Sequence, residues 1–366
     1  MKVALVHDYL NQDGGAEKVL KVLQAIFPEA PIHTLIYDEE KLGHIFKPDK
    51  VRPSYIQTLP WGKTLYKWFL PLMASAIESF DFSGYDLVIS SSSAFAKGVI
   101  TRPGTKHICY CHTPTRYLWS DTHQYIEELS YNKLIKKIIP YILTRLRLWD
   151  RLAAERPDYF LANSQEVQKR IKKYYHRDSD LIHPPVETER FSINSQLGNY
   201  YLIGGRLVPY KRYDLAVQAF NKLGIPLKIF GEGPELAKLK KIAKDNIKFV
   251  GKVNDEQLSR LYAQCLAFIH PQEEDFGITA VEAMASGRPV IAYASGGALE
   301  TVIDGVTGKF FDEQSWEALA DTIIRFKPEE YNPQAIREHA RKFDVEVFKR
   351  KIQDYVTEKI KQPRLF

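Results

Sequence analysis

Two glutamates, Glu274 and Glu282, stand in the segment PQEEDFGITAVEAMASGRPV, which runs from Pro271 to Val290. Leu266 to His270 reads as a strand and Gln272 to Phe276 as a loop. A short helix opens at or near Gly277, and Gly287 stops it in the usual left-handed position. The free N–H groups of Ile278 and Thr279 would then point out of a helix N-terminus, a natural place for a phosphate. Glu274 lies in the loop before that helix and Glu282 lies within it. A carboxylate is a poor partner for phosphate but a good acceptor for hydroxyls. The pair therefore fits a ligand with a diphosphate in the middle and a polyol at each end. A nucleotide sugar has that form, with Glu274 taking the sugar hydroxyls and Glu282 the ribose. The plainer alternative makes Glu282 a solvated helix residue and Glu274 a surface loop charge.

Three other segments bear on the same chemistry. Gly204 to Asp214 (GGRLVPYKRYD) follows the first strand of a second α/β region, at the strand end where ligands bind. Arg206 as a planar fork and Lys211 as a point charge suit phosphate oxygens there, with Arg212 read as solvated. The alternative is an ordinary basic loop. Gly14-Gly15-Ala16-Glu17 follows the first strand of the chain, and two glycines at a helix start let backbone approach a ligand. This is not the GxGxxG fingerprint, and a plain turn explains it equally well. In Cys111-His112-Thr113-Pro114, followed by Arg116, His112 ends a strand, so a ligand-contact role stands beside a structural one. Asp178-Ser179-Asp180 has the form of an Asp-x-Asp metal pair but precedes a strand on a charged stretch. It reads as surface, and no metal is expected.

The elements that must position these residues alternate between strand and helix. Val3–Val6, Leu87–Ile89, His107–Cys111 and Tyr159–Ala162 read as buried parallel strands, with Ser90–Ser93 as a small-residue loop. Ala16–Phe27 has helical spacing, with Val19, Leu20, Leu23 and Phe27 on one face. After Pro185 a polar, irregular stretch to Asn199 reads as the domain linker. The alternation then restarts at Tyr200–Ile203 and continues through Leu227–Phe230, Ile247–Val250, Leu266–Ile269, Val290–Tyr293 and Gly308–Phe311. The chain past Pro333 is helical. Two successive alternations predict two Rossmann-like α/β domains, residues 1–187 and 188–344, followed by a helical tail at 345–366.

Composition bounds the partners. A chain of 366 residues with a net charge of +6 suits an anionic ligand or a membrane surface, but does not demand nucleic acid. Three cysteines, Cys109, Cys111 and Cys265, argue against a disulfide framework and fit buried thiols in a reducing compartment. His7 and Asp8 interrupt the first apolar run, so MKVALVHDYL does not read as a signal peptide. No stretch approaches the roughly 20 apolar residues of a membrane span. A cytoplasmic protein is expected, with a peripheral contact at the inner face of the membrane as an option. Leu59–Met73 mixes Trp61, Tyr66, Trp68 and Phe69 with Lys63 and Lys67, and Lys133, Lys136, Lys137, Arg145 and Arg147 add a second basic stretch. Such mixtures suit a bilayer interface, and equally a packed helix with solvated lysines.

Taken together, these segments resemble the retaining glycosyltransferases of the GT-B fold, family GT4, in its mannosyltransferase-like subgroup. The resemblance runs from Gly14-Gly15 to the helical tail. It rests on Glu274 and Glu282 as a Glu-x7-Glu pair, on Phe276-Gly277, Glu282-Ala283-Met284-Ala285 and Gly287-Arg288-Pro289-Val290, and on Gly205 to Lys211. It implies two facing Rossmann-like domains with a cleft between them, the first taking the acceptor and the second the nucleotide sugar, and a closing helix that crosses back to the first domain. It implies that Arg206 and Lys211 hold the donor diphosphate and stabilise the leaving group in place of a metal, so that no cofactor is needed. Backbone near Gly277, Ile278 and Thr279 would contact sugar and phosphate, Gly15 would approach the phosphates, and His112 would contact the sugar near its C6 hydroxyl. The base would lie near Gly251 to Val253. The donor implied is GDP-mannose or UDP-glucose, and the acceptor a sugar or lipid-linked oligosaccharide in exopolysaccharide or lipopolysaccharide synthesis. The alternatives are a GT-B epimerase or phosphorylase, a non-catalytic nucleotide-sugar scaffold, and a nicotinamide-dependent oxidoreductase, which the missing GxGxxG disfavours.

Overall fold

A computed structural model describes residues 1–122, 126 and 133–362, with backbone alone at 133–135. The chain divides into two compact units: Met1–His183 with the tail from Lys349, and Pro184–Phe348.

The first unit is built on seven strands: β1 (Val3–Leu10), β2 (Ile32–Tyr37), β3 (Val51–Pro53), β4 (Leu87–Ser92), β5 (Lys106–Cys111), β6 (Tyr159–Ala162) and β7 (Asp180–Leu181). They lie in the order β3-β2-β1-β4-β5-β6-β7, every neighbour parallel. Central strands of such a sheet are covered on both faces, which is why β1 and β4 read as near-continuous apolar runs. Helix α1 (Gly15–Ile26) turns Val19, Leu20 and Leu23 inward. Helices α2 (Lys133–Ala153) and α3 (Gln165–Tyr175) complete the frame. Ser164 caps α3, its Oγ accepting the Val167 N–H at 3.1 Å. The buried Lys97, in the turn after β4, sets its Nζ 2.5 Å from Oδ1 of Asp150 on α2, and Thr115 Oγ1 and Trp119 Nε1 also donate to that carboxylate. This satisfied network fixes the inner side of α2.

The serines at the end of β4 correct the loop expected at Ser90–Ser93. Ser90, Ser91 and Ser92 continue the strand and are fully buried. Their hydroxyls find partners inside: Ser90 Oγ pairs with His107 Nε2, Ser91 Oγ with His7 Nδ1 and His112 Nε2, and Ser92 Oγ accepts the Lys97 N–H. Buried hydroxyls are tolerated in a sheet when they are paired in this way.

The second unit carries β8 (Tyr201–Gly204), β9 (Leu227–Phe230), β10 (Ile247–Gly251), β11 (Phe268–His270), β12 (Val290–Tyr293) and β13 (Gly308–Phe311). Their order is β10-β9-β8-β11-β12-β13, again all parallel. Helices α4 (Tyr213–Leu223), α5 (Ile278–Ala285) and α6 (Pro333–Ala340) cover it. The stretch expected as a linker belongs to this unit. Val186 and Phe191 enter its core, and the Val186 N–H donates to Phe343 O at 2.9 Å. Polar neighbours hid these two anchors. The last helix, α7 (Val345–Lys361), begins in the second unit, while its later turns pack in the first. There Tyr355 Oη donates to Asp180 Oδ2 at 2.8 Å, and Lys106 Nζ to Gln362 O at 2.9 Å.

In each sheet the strand order reverses once, between β1 and β4 and between β8 and β11. Loops leaving the carboxyl ends of such strand pairs diverge and leave room for a ligand. They are the loops that carry Gly14, Ser93, Arg206 and Glu274.

Candidate functional site

In the second unit, the loop after β8 and the loop after β11 bring a cation and a carboxylate together. Lys211 closes a tight turn at Pro209–Lys211, and its Nζ lies 2.8 Å from Glu274 Oε1. Both side chains are largely buried. Burial lowers the ammonium's pKa, but the charge of Glu274, then Tyr210, and the hydrogen bond to Glu274 outweigh it, so the pKa stands above its ordinary value despite the opposing charge of Arg206. Lys211 is therefore a fixed cation, and the exposed Arg206 adds a second positive charge on the same loop. The turn is possible because Gly205 has φ +128, where a Cβ would come within 3.3 Å of Tyr213 Oη and 3.5 Å of Lys211 Nζ.

Helix α5 begins beside this pair. Its N-cap, Gly277, has φ +87 and offers no side-chain acceptor, so the first helical N–H groups, those of Ile278 and Thr279, have no cap from it. A Cβ on Gly277 would lie 3.1 Å from His270 Nε2. His270 ends β11 and is fully buried, with Gln272 Nε2 at 3.0 Å from its Nδ1. The amide nitrogen donates there, so the imidazole proton sits on Nε2, which has no partner among the described residues. Burial holds the His270 pKa down at about 4, with Lys211 lowering it further and Glu274 opposing. The ring is a neutral donor near neutral pH. An ammonium, an imidazole N–H and an uncapped helix N-terminus together can attract an anion, and the Glu274 carboxylate beside them can accept hydroxyls.

Glu282 is not a solvated helix residue. It is 4% exposed, and Tyr262 Oη donates to its Oε2 at 3.2 Å. The side chain of Phe276 is core, edge-on to Phe343 at 5.3 Å, so only its backbone is left to face a ligand. Val253 is half-buried against the same core, two residues past Gly251. Arg212, expected to be solvated, is bound by Asp214 and by Gln314 Oε1 at 3.0 Å. The backbone at Arg212 is left-handed, with φ 50.

In the first unit, Gly14 precedes α1 half-buried and Gly15 opens the helix exposed. The Gly14 N–H donates to Glu17 Oε2 at 2.9 Å. His112 is nearly buried at the end of β5, with Nε2 2.7 Å from Ser91 Oγ and its carbonyl accepting from Asn163 Nδ2. Burial, then the charge of His7, lowers its pKa to about 3. Cys109, Cys111 and Cys265 are buried free thiols, and burial pushes Cys109 and Cys265 up to about 12, which makes them inert. Asp178 pairs with Lys172 and Asp180 with Tyr355, so the Asp-x-Asp carboxylates face different partners.

The aromatic-basic region divides. Trp61 and Trp68 are exposed, while Tyr66 and Phe69 pack on the core. On α2, Ile138, Tyr141, Leu148 and Leu152 form an exposed stripe at helical spacing. Lys136 is half-buried and Lys137 and Arg145 are exposed, whereas Arg147 Nε is spent on Leu118 O at 2.6 Å. The side chain of Lys133 lies outside the described residues.

Sequence reasoning missed His270, Gln272, Tyr262 and Tyr213. His270 was visible only as the last residue of a strand, and Tyr262 shows no signal without the contact that pairs it with Glu282.

Residues 185–343 match the family model for Glycosyl transferases group 1, and residues 14–190 that for Glycosyltransferase Family 4. A GDP-mannose-dependent alpha-(1-6)-phosphatidylinositol monomannoside mannosyltransferase of Mycobacterium tuberculosis is 33% identical over 174 residues, 39% of this chain and 45% of its own. An alpha-1,3/1,6-mannosyltransferase of Dictyostelium discoideum is 27% identical over 292 residues, 64% of this chain and 66% of its own. The chain thus spans about half to two thirds of the length of the curated relatives it matches. Among solved structures, Anabaena HepE in complex with UDP and glucose superposes with a TM-score of 0.72 at 20% identity, over 98% of this chain and 99% of that one. At this identity the likeness speaks for the GT-B fold.

Proposed function

The chain belongs to the glycosyltransferase family described by both matched models, GT4 of the GT-B fold, and on that premise we propose that it moves a hexosyl group from a nucleoside diphosphate sugar to a hydroxyl of a sugar or lipid-linked acceptor. The observation that carries this reading is the Lys211–Glu274 pair at 2.8 Å beside the uncapped start of α5. Lys211 and Arg206 would stabilise the departing diphosphate, with the N–H groups of Ile278 and Thr279 and the His270 Nε2–H as further donors. Glu274 would exchange part of its contact with Lys211 for hydroxyls of the transferred sugar. Glu282, oriented by Tyr262, would take the ribose hydroxyls, and the base would lie near Gly251 and Val253. His112 is assigned a donor-sugar hydroxyl, and Gly14 and Gly15 a backbone approach to the phosphates.

The reaction proposed retains anomeric configuration. The acceptor hydroxyl attacks from the face the nucleotide leaves, and a donor phosphate oxygen takes its proton, so no side-chain base is required. Charge stabilisation is assigned to side chains and helix N–H groups, and no metal. GDP-mannose and UDP-glucose are the proposed donors, the first favoured by the mannosyltransferase relatives. Exopolysaccharide or lipopolysaccharide assembly on the cytoplasmic side is the proposed setting. Calorimetric titration with UDP, GDP, UDP-glucose, GDP-mannose and NAD in EDTA tests the core of this reading. Binding of one nucleoside diphosphate and its sugar is expected, and binding of NAD alone, or of nothing, overturns it.

A peripheral membrane contact is part of the proposal. No helix among the described residues is long and apolar enough to cross a membrane. Trp61 is 74% exposed and Tyr141 76%, and the outward α2 stripe runs beside Lys137 and Arg145. Apolar rings and aliphatic groups flanked by cations suit an anionic bilayer surface. Flotation with anionic vesicles at low salt is expected to lift the protein, and the Trp61→Ser, Trp68→Ser double variant to sink it. A wild-type protein that stays at the bottom refutes the contact.

A further inference from the structure

A line of buried polar groups runs through the first unit and ends at His112. It begins at the Gly14 N–H, which donates to Glu17 Oε2 at 2.9 Å. The other oxygen of Glu17 faces His7 Nε2 at 3.7 Å, both side chains being at most 4% exposed. His7 Nδ1 lies 3.1 Å from Ser91 Oγ, and Ser91 Oγ lies 2.7 Å from His112 Nε2. The four side chains come from α1, β1, β4 and the end of β5. Asp8 holds the turn that follows Ser91: its carboxylate accepts the N–H groups of Ser93, Ala94, Phe95 and Ala96 at 2.6 to 2.9 Å.

The protons along this line are not independent. A serine hydroxyl has one hydrogen, so of the two ring nitrogens it meets here it can donate to only one. The Glu17 carboxylate, 3.7 Å from His7 Nε2, favours a proton on that nitrogen through its charge. In the neutral ring, His7 Nδ1 is then bare and accepts the Ser91 O–H. Ser91 Oγ must accept in turn from His112 Nε2–H. The His112 ring is kept neutral by burial, so its Nδ1 is left bare. No described residue bonds that Nδ1.

We propose that Glu17 is a positioning residue that, through His7 and Ser91, sets His112 as its Nε2–H tautomer and presents Nδ1 as a hydrogen-bond acceptor. The use of that acceptor, a hydroxyl of the donor sugar, rests on the reading given under Proposed function. The tautomer itself does not. A capping carboxylate at the start of α1 thus has a second task, deciding which way a hydrogen bond points at the far end of the line.

Glu17→Gln separates the two tasks. Its amide oxygen still accepts the Gly14 N–H, so the start of α1 is kept. Its NH2 group now faces His7 Nε2 and favours a bare nitrogen there. His7 then carries its proton on Nδ1 and donates to Ser91, Ser91 donates to His112 Nε2, and His112 Nδ1 becomes a donor. The test is long-range proton–nitrogen correlation NMR on the full chain with 15N-labelled histidine and no donor present, the His112 signals being assigned by their loss in His112→Gln. The expected result is a proton on Nε2 in the wild type and on Nδ1 in Glu17→Gln. In a Ser91→Ala background, Glu17→Gln should no longer move it. A wild-type His112 protonated on Nδ1, or a tautomer indifferent to Glu17, overturns the proposal. Turnover reads the other half. Loss of one neutral hydrogen bond predicts a fall of about five- to tenfold in kcat/KM for Glu17→Gln. A flipped tautomer with unchanged kcat/KM supports the relay and refutes the role of His112 Nδ1 as the acceptor of a sugar hydroxyl.

Discussion

The two units each place a glycine-started helix after a strand at the point where the sheet order reverses, yet the two helix starts are finished differently. At α1 the chain supplies a carboxylate: Glu17 reaches back and accepts the N–H of the N-cap residue Gly14, while Gly14 itself caps no helical N–H. At α5, Gly277 has no side chain to cap with, and the polar groups nearby are Lys211, paired with Glu274, and a neutral donor, His270. A carboxylate beside a helix start weakens its pull on a second anion, whereas an ammonium beside one strengthens it. On the proposed reading, two similar loops in two similar sheets would take unequal shares, the second unit more of the charge for a diphosphate and the first more of the orientation.

The largest expected effect tests that inequality directly. Lys211→Ala removes the fixed cation next to the open helix start and should lower kcat by about 10²–10³, the usual cost of one well-placed donor to developing negative charge. Glu17→Gln, the corresponding change at the other helix, should cost no more than about tenfold. Steady-state kinetics on the two variants compares them. Similar losses would mean that the two starts share the diphosphate evenly.

Much of this was legible in the residues, and the part that was not has a common cause. The places of Glu274 before a helix and Glu282 within it could be read because Gly277 marks the helix start between them. Arg206 and Lys211 could be found because they follow the first strand of a second α/β alternation. That Lys211 and Glu274 form an ion pair could not be read, because it joins two loops distant in sequence. His270 looked like any strand-ending residue, and its task depends on Gln272 and Gly277 meeting it in space. Glu17 was noticed only as part of a glycine-glutamate turn, since nothing local shows His7 beside it. The serines of β4 misled for a related reason: small polar residues favour loops, unless histidines elsewhere in the chain pair their hydroxyls.

The two units should also differ in acid, with an intermediate effect. In the first, burial lowers the pKa of His33 to about 4 and of His107 and His112 to about 3, each helped by a nearby positive or imidazole group. In the second, burial lowers His270 to about 4 and His339 less far. A histidine whose folded pKa lies below the unfolded value near 6.5 favours the folded state fully above that value. Its contribution is lost as pH falls from there toward the folded pKa, by up to about 1.4 kcal/mol per pH unit for each group. The first unit has three strongly lowered groups and the second has one. Hydrogen exchange at pH 7 and pH 5, corrected for intrinsic rates, should show β1, β4 and β5 losing more protection than β11 and β12. Equal losses would mean that the units unfold together or that these rings are more hydrated than their burial implies.

The smallest effects come from adding a single methyl group at each helix start. Gly277→Ala puts a side chain on a backbone with φ +87 and sets its Cβ 3.1 Å from the buried His270 Nε2, a ring held by Gln272 and unable to swing away. Strain of that kind costs about 1–3 kcal/mol, and the methyl would also cover the His270 Nε2–H. Both melting temperature and donor affinity should fall. Gly14→Ala meets Glu17 Oε2 at 2.9 Å, which is the far end of a flexible side chain, and Gly14 itself has φ −130, open to any residue. Its cost should stay within about 0.5 kcal/mol, the usual range for a site without special strain. Any effect on turnover should come through displacement of Glu17 and hence through His112. Measured together by thermal melts and donor titration, the two alanines ask whether the start of α5 tolerates less than the start of α1. A Gly277→Ala variant with wild-type stability and donor affinity would remove the open start of α5 from the anion site and leave Lys211 and Arg206 to hold the diphosphate alone.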